Sequence, residues 1–133
     1  FTNGCFDLLH RGHVEYLREA KRLGDLLIVG VNSDDSVRAL KGPGRPLVPQ
    51  LDRAQLLAEM VSVDYVCIFD EISVESTVAR ILPDLLVKGG DYPVDQIVGR
   101  AIVERSGGQV RSLSLREDNS TTRLIAKAQE LER

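Results

Sequence analysis

The sequence predicts an α/β fold in which an open, parallel, five-stranded sheet carries helices on both faces. Two observations predict it. Apolar runs of strand length alternate along the chain with segments of helical period, the pattern of βαβ units that feed a parallel sheet. Polar or glycine- and proline-rich stretches separate these segments where connections would fall. The 133 residues fit a single domain, residues 1–133, large enough to bury a core. The chain opens on Phe1, without an initiator Met and inside an expected strand, so upstream residues or a preceding domain are expected as well.

Residues 1–5 read as the first strand. Val14, Leu17, Ala20 and Leu23 then mark the apolar face of a helix that begins near His13 and that Gly24 ends. The second strand covers 26–31. Asn32-Ser33-Asp34-Asp35 supplies a polar turn and an N-cap for a short helix over 37–40, followed by the loop Lys41-Gly42-Pro43-Gly44-Arg45-Pro46. A helix over 52–61, a strand over 65–69 and a helix over 74–81 stopped by Pro83 continue the alternation. The fourth strand spans 85–88. After Gly89-Gly90-Asp91-Tyr92-Pro93, a helix is expected over 95–105, closed by Gly107-Gly108, and the last strand over 110–115. Ser120-Thr121-Thr122 caps a terminal amphipathic helix with Leu124, Ile125, Ala128 and Leu131 on one side. No repeat, linker or low-complexity tract interrupts the pattern.

Composition narrows the function classes. Cys5 and Cys67 sit in different settings and do not suggest a disulfide scaffold, so a reducing cytoplasm is the expected compartment. No run of about 18 apolar residues and no signal-like segment points to a membrane or to export. A net charge of −3 with scattered cations argues against general affinity for nucleic acid and leaves room for a local positive pocket. An anionic small molecule is the favoured ligand.

The only two histidines, His10 and His13, flank Gly12 directly behind the first strand. At a helix start they stand where free backbone N–H groups and the positive dipole end favour anions, and Gly12 lets the backbone come close to a ligand. Imidazole donates a hydrogen bond and carries positive charge near neutral pH. Two other readings stay open: the histidines only cap the turn, or they join Cys5 as zinc ligands, for which a fourth ligand is lacking.

Ligands of open parallel sheets bind beyond the carboxyl ends of the strands, where strand order reverses. The unusual residues fall there, at 7–13, at Asn32 and Asp34, at 88–91 and at 116–122. Each also has a plain role: Asp34 as a helix cap, Gly89-Gly90 as a turn, Ser120-Thr121-Thr122 as a cap. Lys41 and Arg45 are either solvated charges or an electrostatic lid. Neither a G-x-x-x-x-G-K-[ST] loop nor a G-x-G-x-x-G run after the first strand is present.

The run Thr2-Asn3-Gly4-Cys5-Phe6-Asp7-Leu8-Leu9-His10-Arg11-Gly12-His13 resembles the signature of the HxGH nucleotidyltransferases, and Ser120-Thr121-Thr122 resembles their second signature. Leu40-Lys41-Gly42, Gly44-Arg45-Pro46, Arg53, Val63-Asp64 and the stretch Pro83-Asp84-Leu85-Leu86-Val87-Lys88-Gly89-Gly90-Asp91-Tyr92 are similar to the adenylyltransferases of the ADP-heptose synthase family. Residues 70–75 and 116–119 depart from that pattern.

The resemblance implies a Rossmann-like fold of the nucleotidyltransferase type and transfer of AMP from ATP to D-glycero-β-D-manno-heptose 1-phosphate. On this reading His13, and secondarily His10, bond the α- and β-phosphates; Lys41 and Arg116 offset charge on the leaving pyrophosphate; Ser120 and Thr121 anchor the β/γ end. Thr2, Asn3, Gly4, Cys5, Phe6, Asp7, Gly12, Gly89, Gly90, Asp91 and Thr122 complete the nucleotide site. Lys88 stands near the α-phosphate or on the acceptor side, and Asn32, Asp34 and Arg53 are expected to bind the acceptor. Mg²⁺ arrives with the triphosphate, without a protein metal cage. A homodimer and a sugar kinase, fused or separate, are the expected protein partners. The alternatives are a CTP-dependent cytidylyltransferase for glycerol 3-phosphate or a similar alcohol phosphate, and a sensor that binds ATP without transferring it.

Overall fold

A computed structural model describes residues 1–90, 92–114 and 120–132. Helices and strands alternate in the order β1 (Thr2–Gly4), α1 (Arg11–Arg22), β2 (Ile28–Asn32), α2 (Asp34–Lys41), α3 (Gln50–Ala58), β3 (Tyr65–Phe69), α4 (Glu75–Ile81), β4 (Leu85–Gly89), a 3-10 turn (Val94–Gln96), α5 (Arg100–Arg105), β5 (Gln109–Leu113) and α6 (Thr121–Glu130).

Two parallel ladders form, β1-β2-β3 and β4-β5, with Thr2 opposite Val29, Ile28 opposite Tyr65 and Leu85 opposite Gln109. They meet at Phe1. Its amino group donates to Leu85 O at 2.8 Å, and Val87 N donates to Phe1 O at 2.8 Å. Two bonds from one residue that flank Leu86 are the parallel pattern. The strands thus follow the order β3-β2-β1-β4-β5, and the order reverses at the seam between β1 and β4. Phe1 reaches across β2 there. A Cβ on Gly30 would lie 2.8 Å from the Phe1 ring, so only glycine admits it.

Successive side chains of a strand take opposite faces, and the core divides accordingly. Leu17 and Ala20 of α1 and Leu57 of α3 pack with Val29, Val31 and Val87 on one face. Val78 of α4 and Val103 of α5 pack with Phe1, Phe69 and Leu86 on the other. The expected sheet with helices on both faces is therefore what the chain builds.

Several element bounds differ from expectation. The helix expected over 95–105 is broken into the 3-10 turn and α5, because Gly99, just ahead of α5, takes φ +92°, outside the right-handed helical region. Lys41 is the last residue of α2, not part of the loop; Gly42, at φ +100°, ends the helix after it. Ser33, not Asp34, caps α2 through its hydroxyl, which accepts from Ser36 N. Helix α1 starts at Arg11 rather than near His13, and α3 runs over Gln50–Ala58 rather than 52–61. Strand β5 covers Gln109–Leu113, and Leu115 lies outside the described residues. Ser120 caps α6 as the sequence suggests, yet the apolar stripe of that helix is uncovered: Leu124 is 41% and Leu131 85% exposed.

Candidate active site

A cavity of about 750 Å³ opens at the carboxyl edge of the sheet, where the β1–β4 seam reverses strand order. Asn3 to Asp7, His10, Gly12 and His13 line it, together with Lys41, Lys88 and Gly89 and the start of α6 at Ser120, Thr121 and Thr122.

The two histidines cap α1 and line the cavity at once. His10 Nδ1 accepts from Gly12 N at 3.1 Å, and His13 Nδ1 accepts from His10 N at 3.2 Å. A ring nitrogen that accepts a backbone N–H bears no proton, so each neutral ring carries its proton on Nε2. The capping reading and the ligand reading are thus compatible, because they use different ring atoms. The rings lie 4.0 Å apart between centroids. Burial, and then the neighbouring His10 ring, push the His13 pKa down to about 4. Burial also lowers the pKa of His10. The positive charge expected near neutral pH is therefore absent from His13 in the ligand-free fold. It is a neutral Nε2–H donor.

This depression has a measurable consequence. Below its ordinary pKa of 6.5 the unfolded chain binds a proton that folded His13 refuses until about pH 4. Stability therefore falls as pH drops from about 6.5 to about 4, with no further loss from this ring below that. Asp7 acts only lower, since its folded pKa is already below the usual 3.8. We expect the melting temperature of the ligand-free protein to decline across this window and His13→Asn to flatten the decline. A melting temperature constant over the window would show that the ring is not held neutral.

A second helix start faces the first. Ser120 Oγ accepts from Arg123 N at 3.0 Å, and Thr121 Oγ1 donates to Leu8 O at 2.8 Å, which fastens α6 to the loop ahead of α1. Two helix N-termini bordering one cavity suit a polyphosphate chain.

The cations divide sharply. Lys41, exposed at the end of α2, lines the cavity. Arg45 is no solvated lid charge: its Nε donates to Asp7 Oδ2 at 2.8 Å. Asp7 is buried, and burial pushes its pKa up, but bonds from Leu47 N, Val48 N and Arg45 outweigh that and hold the carboxyl below its usual range. Asp7 thereby ties the 45–48 loop to the end of β1. Arg53, expected to bind the acceptor, is instead fully buried beneath the site. Its guanidinium donates to Val48 O, Cys5 O, Asn32 O and Asp34 Oδ1 at 2.8, 2.6, 2.8 and 2.8 Å. Every nitrogen it has is engaged, so it braces the loops rather than meeting a ligand, and Asp34 serves it. Neither lines the cavity.

Two further expectations are corrected. Thr2 is fully buried on the α1 face, its Oγ1 2.6 Å from Tyr16 Oη, and does not reach the cavity. Gly90 does not line it either; its N–H pairs with Leu113 O at 2.9 Å. Asp91 and Arg116 lie outside the described residues. Cys5 lines the cavity, but burial pushes its thiol pKa up despite Lys41, Arg53, Arg45 and Lys88 nearby. Among the described residues no three His, Cys, Asp or Glu side chains are placed to hold a metal ion.

Sequence reasoning missed part of the wall. Tyr16 lines the cavity one helical turn beyond His13, a spacing that could have flagged it. Ile72, Ser73 and Val74 before α4, and Tyr92, Gln96, Ile97 and Val98 before α5, also line it. No local signal marks these, since only the crossover to the far side of β1 brings them to the seam.

Comparison with known proteins adds to this geometry. A sequence profile described as cytidylyltransferase-like matches residues 1–127. The chain is 52% identical over 127 residues to the bifunctional protein HldE of Syntrophotalea carbinolica, covering 96% of this chain and 26% of that protein. It is 53% identical over 132 residues to the HldE of Hydrogenovibrio crunogenus, covering 99% and 28%. The chain thus spans about a quarter of the length of the curated relatives it matches. Among solved structures, a lipopolysaccharide core biosynthesis protein from Thermoplasma volcanium superposes with a TM-score of 0.70 at 31% identity, over 86% of this chain and 93% of that one. A protein of unknown function from Archaeoglobus fulgidus shares the fold, with a TM-score of 0.62 at 19% identity over 85% and 95%.

Proposed function

Because the chain belongs to the cytidylyltransferase-like family and is a nucleotidyltransferase, we propose that it transfers AMP from ATP to a sugar 1-phosphate, D-glycero-β-D-manno-heptose 1-phosphate. A phosphate oxygen of the acceptor attacks the α-phosphorus in line, the bond from that phosphorus to the β-phosphate oxygen breaks, and pyrophosphate leaves as ADP-heptose forms. The observation that carries the reading is the pair of Nε2 donors at the start of α1, set on the same cavity as the capped start of α6. Such transfers need positioning and stabilisation of phosphoryl charge more than a protein nucleophile.

In this reading the Nε2–H groups of His13 and His10 bond the α- and β-phosphate oxygens, Ser120 and Thr121 hold the far end of the triphosphate, and Lys41 offsets charge on the leaving group. Mg²⁺ travels with the triphosphate and its waters, since Asp7, the carboxylate among the described lining residues, already accepts from Leu47, Val48 and Arg45. The choice of ATP and heptose rests on the likeness of residues 83–92 to the ADP-heptose synthases. The sugar class is supported by the 31% identical neighbour described as a lipopolysaccharide core biosynthesis protein. The HldE relatives are bifunctional and about four times as long, which supports a sugar kinase as the activity that supplies the acceptor.

Pyrophosphate release is the test, with ATP and CTP each offered heptose 1-phosphate and glycerol 3-phosphate. ATP with heptose 1-phosphate should give the highest kcat/KM, by about tenfold or more over any other pair, because hydroxyl-binding groups left unpaired reject the smaller acceptor. CTP with glycerol 3-phosphate as the best pair would replace the substrate assignment. Release with no pair, despite ATP binding, would favour a nucleotide sensor.

A further inference from the structure

The seam between β1 and β4 is bonded at Phe1 and then changes character. In a parallel ladder the carbonyl of Val87 would be the next to accept from β1, yet past Phe1 no ladder joins the two strands among the described residues. A side chain from α1 meets that carbonyl instead: Tyr16 Oη donates to Val87 O at 3.4 Å. The same phenol oxygen lies 2.6 Å from Thr2 Oγ1 on β1. With its one proton directed to Val87 O, the phenol accepts the proton of Thr2, and a relay from Thr2 through Tyr16 to Val87 spans the seam.

Tyr16 is 8% exposed and Thr2 is fully buried. Burial pushes the phenol pKa up to about 12 despite the bond from Thr2, so the hydroxyl keeps its proton and serves as a tether rather than as an acid or base. Tyr16 stands one turn beyond His13 on the same face of α1. Both line the cavity, as do Lys88 and Gly89, the residues that follow Val87 on β4. Side chains of a helix lean toward its N-terminus. The bonds of the phenol therefore bear on the first turn of α1, where His13 Nδ1 accepts from His10 N. Phe6, from the same core cluster as Tyr16, sets its ring 5.4 Å from that of His13. A shift of α1 against β4 would move the His13 Nε2 donor relative to the strand end across the cavity.

Building on the nucleotidyl-transfer reading, we propose that Tyr16 is a positioning residue: its hydroxyl, held by Thr2, fixes the His13 end of α1 at a set distance from β4 across the open part of the seam. The hydroxyl touches no reacting atom in this role. It keeps the Nε2 donor where the transition state needs it, and a misplaced donor costs rate more than it costs ground-state affinity.

Tyr16→Phe keeps the ring and removes the tether. It should lower kcat about tenfold and leave the ATP KM within about twofold. Thr2→Val, which removes the far bond, should lower kcat by a smaller factor, and Thr2→Ser, which restores that bond, should turn over near the wild-type rate. The decisive variant combines Tyr16→Phe with His13→Asn. Once the Nε2 donor is gone, loss of the tether should slow the enzyme by less than about twofold further. An equal factor lost in both backgrounds would mean that Tyr16 acts independently of His13, and a lower melting temperature with wild-type kcat would leave it a core contact; either result overturns the proposal. Amide hydrogen exchange of the ligand-free protein reads the tether apart from turnover. In Tyr16→Phe, or in Thr2→Val should the first variant fail to fold, exchange should quicken at 12–16 and 87–89 while Val29 and Val31 of β2 keep their protection. Should the wild type release no pyrophosphate from any nucleotide, the transfer reading fails, while local quickening still upholds the tether and uniform quickening overturns it.

Discussion

His13→Ala is expected to lower kcat about a hundredfold or more while affinity for ATP changes far less, the usual scale for losing one donor that strengthens in the transition state. Alanine also removes Nδ1, which accepts from His10 N and helps cap α1, so it confounds two roles. Asparagine separates them. Its Oδ1 stands close to the position of Nδ1 and keeps the cap, but it offers nothing where Nε2 was. His13→Asn should therefore melt near the wild-type temperature at pH 7 and still turn over as slowly as His13→Ala. Glutamine does the reverse: its amide nitrogen reaches toward the Nε2 position and should restore part of the rate. Near-normal turnover in His13→Asn would remove the ring from the chemistry and leave it a cap.

Arg53→Met carries the largest expected effect on stability. The side chain is fully buried and donates to three backbone carbonyls and to Asp34. Methionine fills the volume but leaves those carbonyls unpaired and the Asp34 carboxylate without its cation. Removing one partner of such a buried network costs about 3–5 kcal/mol, or roughly 10–20 °C in Tm for a domain of this size. The midpoint of urea unfolding should fall with its slope unchanged. A loss under about 1 kcal/mol would mean that water replaces the guanidinium and that the brace is dispensable. Activity should fall as well, because two of the bonded carbonyls belong to Cys5 and Asn32, which line the cavity.

What could be read from the chain follows what is local. Strand β3 at Tyr65–Phe69 coincides with expectation because a bounded apolar run signals itself. The Ser120 cap of α6 and the approach of His10 and His13 to a helix start depend on a few neighbouring residues, and both are present. Gly99 was in plain view, but a glycine can also sit within a helix, so its left-handed φ of +92° ahead of α5 could not be read from its identity alone. Lys41 looked like loop because glycine and proline follow it, yet helix α2 continues until Gly42 ends it.

The roles of the charged residues were the least legible. Nothing adjacent to Arg53 says that Cys5, 48 residues before it, and Asn32, 21 before it, will present carbonyls to its guanidinium. Arg45 and Asp7 stand 38 residues apart, so a cation that reads as a free lid charge is held by an aspartate. The sequence by itself determined the alternation of elements, the helix starts and the chemical kinds of side chain near the strand ends. Tertiary structure alone decided which of those side chains face a ligand, because burial, hydrogen-bond partners and the neutrality of His13 arise only when segments distant in the chain pack together and withdraw these groups from water.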